Sequence, residues 1–145
     1  MMCQRKVCLK INLEIDTAIE SFLFSVPPSK LKLELDGTVK EVHASKAGIY
    51  NLGSSEVNGH PHWVKVEEKA KDQAIWISKD SWIVGTKENL GTSTGGIIGP
   101  KSQTEFPHEK SEGWRFICSK EDPWKFAEEG EIVFKDLTHL CLKYI

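Results

Sequence analysis

Ala74-Ile75-Trp76-Ile77-Ser78-Lys79-Asp80-Ser81-Trp82-Ile83-Val84-Gly85 is the stretch on which the fold turns. Two apolar runs, each with a tryptophan, flank the polar Lys79-Asp80-Ser81, a spacing that suits a tight hairpin. Apolar side chains occupy both alternating sets of positions, so both faces of this strand pair are expected to be covered.

Outward from this hairpin the same grammar continues. Upstream lie Gly48-Ile49-Tyr50-Asn51-Leu52 and, after an Asn58-Gly59 turn, His62-Trp63-Val64-Lys65-Val66. Downstream lie Trp114-Arg115-Phe116-Ile117-Cys118, then Trp124-Lys125-Phe126 beyond the Asp122-Pro123 turn, and finally Glu131-Ile132-Val133-Phe134. Short apolar runs separated by turn residues predict a mainly β protein, a small antiparallel meander over residues 47–145. Between Thr86 and Glu112 the periodicity fades amid Gly91, Gly95, Gly96 and Gly99, which predicts one long loop.

Residues 1–46 read as an N-terminal strand, short helix and hairpin extension with a soft boundary at Ala44-Ser45-Lys46. Val7, Leu9, Ile11, Leu13 and Ile15 alternate with polar residues and predict a strand with one buried face. Thr17-Ala18-Ile19-Glu20 matches a capping box and predicts a short helix that stops before Pro27-Pro28. Lys30 to Leu35 alternate again, and Asp36-Gly37 predicts a type I′ turn with Thr38 to Val42 as the returning strand.

The segments Asn58-Gly59-His60-Pro61-His62-Trp63, Ala74-Ile75-Trp76-Ile77, Trp82-Ile83-Val84-Gly85, Leu90-Gly91-Thr92-Ser93-Thr94-Gly95-Gly96-Ile97, Phe106-Pro107-His108 and Gly113-Trp114-Arg115-Phe116 occur in that order. Together they resemble a tryptophan-rich β module that recurs singly or in tandem in eukaryotic proteins, with a pattern near N-G-x-P-x-Y/W … W-x-I-G … G-W-x-x. The resemblance spans about residues 48–135. It implies a β fold and carries no activity with it.

Composition removes several functions. The 145 residues suit one domain with an extension. Charged residues make up 28% of the chain, and the net charge of -2 leaves no excess of positive charge. Residues 1–46 hold seven Lys/Arg against six Asp/Glu, and residues 47–145 hold twelve against fifteen, so no basic stripe awaits phosphates. No apolar run reaches the roughly 20 residues that span a bilayer, and the N-terminus lacks the apolar core of a secretory signal. Read as a complete protein, the chain belongs in the cytoplasm. Cys3, Cys8, Cys118 and Cys141 are too few and too scattered for a disulfide scaffold and read as thiols.

Three motifs carry chemistry to weigh. Gly95 to Ser102 approaches the phosphate-binding G-x-x-x-x-G-K-[ST], but Pro100 stands where the second glycine belongs and removes a backbone N–H. Nucleotide binding is excluded on that ground. His60 and His62, with His108, could assemble a metal site, although Asn58-Gly59 and Pro61 explain the first pair as a turn entering a strand. Five tryptophans must build most of the core of so small a sheet. Trp82 and Trp124, beside polar turns, are the ones expected to stay accessible.

No nucleophile elbow, H-E-x-x-H or other catalytic signature is present. The expectation is a non-catalytic interaction module without a cofactor, holding a protein or glycan partner through an aromatic face and a glycine-rich loop. Its site residues are Trp82, Gly91, Thr92, Ser93, Thr94, Gly95, Gly96 and Trp124. Two alternatives stand beside it. One is a small metal-dependent protein or enzyme using His60, His62 and His108; the other is a structural module that packs in an array.

Overall fold

The computed structural model describes residues 26–66, 73–102, 106–110, 112–118 and 123–138. The strand expected over 6–15 and the helix expected after Thr17 lie outside them. Nine strands form one antiparallel sheet: β1 (Lys30–Leu35), β2 (Gly48–Leu52), β3 (Trp63–Lys65), β4 (Gln73–Ser78), β5 (Ser81–Thr86), β6 (Ile97–Lys101), β7 (Arg115–Ile117), β8 (Trp124–Phe126) and β9 (Ile132–Asp136). Strands β1 to β8 follow one another as a meander. β9 returns to the far side of β1, giving the order β8-β7-β6-β5-β4-β3-β2-β1-β9. The expected fold class is the observed one.

The central hairpin is as the sequence predicts. Ser78 pairs with Ser81, so Lys79-Asp80 forms a two-residue turn. Lys79 takes a positive φ of 58°, as such turns demand. Ile75, Ile77, Trp82 and Val84 point into the main core, whereas Ala74, Trp76 and Ile83 form a second cluster on the opposite face. Val57 and Leu90 pack onto that second cluster, and Ile98 adjoins it from the neighbouring strand β6. Both faces are therefore covered.

The sheet curls until its ends meet. Trp114, just before β7, and Phe134, on β9, lie near opposite ends of the strand order, yet their ring centroids are 4.7 Å apart. Their meeting encloses Leu31, Leu33, Tyr50, Trp63, Ile97 and Phe116 with the inward side chains of the hairpin. The buried indoles find the acceptors that their N–H groups need. Trp63 donates to the Pro28 carbonyl at 2.8 Å and Trp114 to the Lys110 carbonyl at 2.9 Å.

Residues 38–42 correct the hairpin expectation. They belong to a helix, α1 (Gly37–His43). Gly37 does take a positive φ of 59°, but Asp36 stays extended at φ -143°, so no type I′ turn forms. Instead the Asp36 carboxylate accepts the Gly37 N–H at 2.8 Å, and Glu131 accepts the Thr38 N–H at 3.0 Å. Two first-turn donors are thereby satisfied. Val39 and His43, four residues apart, form the buried face. β1 takes β2 and β9 as partners instead. Residues 30–46 consequently share one core with the rest.

Helix α1 reaches across the curl. His43 Nε2–H donates to the Ile117 carbonyl at 2.9 Å, and its ring stands edge-on to Phe116. Burial is the main cause that holds the imidazole below its ordinary pKa. The hydrogen bond to Ile117 opposes this, and Lys46 adds to it.

The loop expected over residues 86–112 is also corrected, because it contains β6. In the pairing with β5, Ser81 faces Lys101 while Ile83 faces Ile98, so Gly99 and Pro100 together oppose Trp82. That is a bulge, the one interior position where a sheet accepts proline. Pro100 also lies beyond the residues that pair with β7.

Candidate binding surface

Most of the expected site is built into a fixed cover. Residues 87–96 fold over the outward face of β4 and β5. Trp76 Nε1 donates to the Thr92 carbonyl at 2.8 Å, and the Ser93 and Ser78 hydroxyls lie 3.0 Å apart. Thr92 Oγ1 donates to the Asn89 carbonyl at 2.7 Å and accepts the Thr94 N–H at 3.2 Å. Gly91 sits at φ 87° and its carbonyl accepts from Asn58 at 3.0 Å.

The glycines serve close packing. A Cβ on Gly95 would collide with the Ile83 side chain and crowd the Val84 carbonyl, while one on Gly96 would press on the His43 ring at 2.7 Å. Gly96 N–H is spent on the Val84 carbonyl at 3.0 Å. The Thr92 and Ser93 hydroxyls and the Thr92, Thr94 and Gly96 N–H groups, anticipated as ligand donors, are thus engaged within the fold.

Trp82 requires a correction. It is 2% exposed and belongs to the main core, with its ring 5.6 Å from that of Trp63. A polar turn beside it does not make it accessible, because direction along a strand depends on register and not on distance from the turn.

The histidines are placed separately. His62 is buried, with its Nδ1–H donated to the Ser55 carbonyl at 2.9 Å and its ring against Gly53. His60 closes the hairpin opposite Val57, and His108 stacks on Phe106 at 6.1 Å. Among the described residues, no three His, Cys, Asp or Glu side chains are grouped for a metal ion, so these histidines do not converge.

Trp124 is where it was expected, at the surface, and it has company. Every residue of β8 is exposed, with Trp124 at 37% and Phe126 at 71%. Two residues apart, both rings stand on one face of the strand. The register identifies that face. Phe116, a core residue, pairs with Lys125, so Trp124 and Phe126 share the outer face with their partners Ile117 and Arg115.

Following the pairing inward from Phe126 gives a row across five strands: Phe126, Arg115, Ile98, Ile83, Trp76. At the Trp76 end the cover closes it. At the β8 end it opens, and Arg115 lies over the Trp124 ring at 5.8 Å, where the guanidinium meets the negative face of the indole. Arg115, Ile98, Ile117 and Phe126 were not singled out from sequence. Their signal was the alternation Trp124-Lys125-Phe126, which places two aromatics on one face without any clue to exposure.

β8 ends the sheet and, among the described strands, pairs only with β7. A row of exposed aromatic side chains therefore adjoins a backbone edge. Among the described residues no helix is long and apolar enough to cross a membrane. No family model matches the chain, and neither a curated protein nor a solved structure does.

Proposed function

We propose that this chain is a non-catalytic binding module that holds an extended segment of a partner protein against β8 and the aromatic face beside it. The carrying observation is Phe126, 71% exposed next to Trp124 on an end strand. Large apolar side chains grouped at a surface are ordinarily kept for a partner. An extended peptide supplies what this edge lacks. Its backbone extends the ladder, and its alternate side chains settle on Trp124 and Phe126.

Three further features support this occupant. Tryptophan and arginine, here stacked together, are the residue types that dominate binding energy at protein interfaces. A sugar ring needs a bare aromatic face, and Arg115 occupies one side of Trp124. The chain is, in this reading, one of the tryptophan-rich modules that its motifs resemble, and a scaffold closed by its own cover leaves β8 as the open part.

The test is a peptide array and a glycan array, each probed with the wild type and with Phe126→Ser. Binding to peptides that alternate apolar and polar residues, weakened at least tenfold by Phe126→Ser, is the expected result, corresponding to about 1.4 kcal/mol. Binding to glycans alone, or peptide binding that ignores Phe126, overturns it.

A further inference from the structure

Asn58 and Gly59 form the tip of a small hairpin. Val57 and His60 exchange backbone hydrogen bonds of 2.8 and 3.1 Å around them, and both tip residues take positive φ, 56° and 78°. The Asn58 amide nitrogen donates twice, to the Ile77 carbonyl of β4 at 2.8 Å and to the Gly91 carbonyl of the cover at 3.0 Å. Two carbonyl acceptors demand an NH₂ group, and a carboxylate in its place would set negative oxygen against both. Of the four asparagines in the sequence, Asn58 alone precedes a glycine. A Cβ placed on Gly59 would meet nothing within 4 Å, so no side chain, its own or a neighbour's, crowds the Asn58-Gly59 peptide there.

We propose that Asn58-Gly59 is a deamidation site, held closed by the fold, whose conversion unties the glycine cover from β4. The Gly59 backbone nitrogen gives up its proton and attacks Asn58 Cγ. A C–N bond forms and closes a five-membered succinimide, while the Cγ–Nδ2 bond breaks and the nitrogen leaves as ammonia. Water then adds at either ring carbonyl and opens one C–N bond, leaving aspartate or isoaspartate. Water is the only co-reactant, and nothing is oxidised or reduced.

In the native turn, both donated hydrogen bonds fix the amide that must rotate and depart. Reaction therefore follows the fraction of time the turn is open. The product cannot donate to Gly91 or Ile77. The cover then loses both ties to Asn58 and is held by Thr92, Ser93, the Gly96 N–H on the Val84 carbonyl and the packing of Leu90, so it opens more often and the Trp76 indole beneath it becomes more accessible.

The experiment ages the full chain at mildly alkaline pH, native and in urea, and follows mass and peptide maps across residues 57–60. Conversion at Asn58 is expected to be at least about tenfold faster in urea. Asn58→Asp is expected to melt about 3–6 °C lower, with red-shifted tryptophan emission. Equal ageing rates in the two conditions, or Asn58→Asp with wild-type melting and emission, overturns the proposal. If Asn58→Asp does not fold, partly aged wild type decides. Its converted fraction must be cut by protease within residues 87–95 faster than the unconverted fraction, and equal cutting overturns the proposal.

Discussion

Trp76 and His43 show how single side chains hold this sheet in shape. Trp76 is fully buried on the outer face, with its N–H given to the cover, so truncation removes a large ring and leaves a carbonyl unpaired. Trp76→Ala is expected to cost about 3–5 kcal/mol, read by urea denaturation. A cost below about 1 kcal/mol would mean that the cover does not pack as described. His43 makes stability depend on pH. Its native pKa lies below the ordinary value of 6.5, so the unfolded chain binds the proton more readily. The contribution of neutral His43 is full above the ordinary value and is lost as pH falls through the native pKa. Melting temperature should therefore decline on the acid side of that value, and His43→Gln should flatten that part of the curve. An unchanged acid slope in His43→Gln would assign the decline to other groups.

At the level of elements, the sequence was clear where patterning and turn chemistry agreed. The runs at β1, β2, β3, β4, β5, β7 and β9 each show short apolar patterns bounded by turn residues, and each is a strand. Two elements escaped. Thr38 to Val42 alternates well enough for a strand, yet its Val39 and His43 are also spaced for a helix face, and part of the cap comes from Glu131, distant in sequence. Removing the local part of that cap with Asp36→Ala should cost about 0.5–2 kcal/mol by denaturation, and a neutral effect would contradict the capping role. β6 was hidden because Gly99 and Pro100 interrupt its pattern. Gly99 is required there because a Cβ would approach the Trp114 ring to 3.0 Å, a contact that only the folded chain creates. Gly99→Ala should accordingly destabilise by about 1–3 kcal/mol through crowding of Trp114, and a stabilised variant would contradict that packing. Of the candidate site, Trp124 was legible. Several cover residues look like free ligand donors in the sequence because their internal partners come from β4, β5 and the Asn58 turn.

Across the whole molecule, covered and uncovered surface are divided along one row of side chains. From Trp76 to Ile83 the outer face is roofed by the cover and the Asn58 turn; from Arg115 to Phe126 it is open. Curling lets this sheet bury a large inner core without a second layer of strands, and it leaves β8 and β9 as the ends. Exposed aromatics on β8 contribute little to that core. Phe126→Ser should change stability by no more than about 0.5 kcal/mol, which separates binding from folding in the same variant. The most direct measurement is backbone amide exchange across Trp124-Lys125-Phe126 in the presence of short synthetic peptides that alternate apolar and polar residues. The account predicts that a saturating peptide slows exchange in β8 and that Phe126→Ser abolishes the slowing. Peptide binding that leaves β8 exchange unchanged, or protection that survives Phe126→Ser, would contradict it.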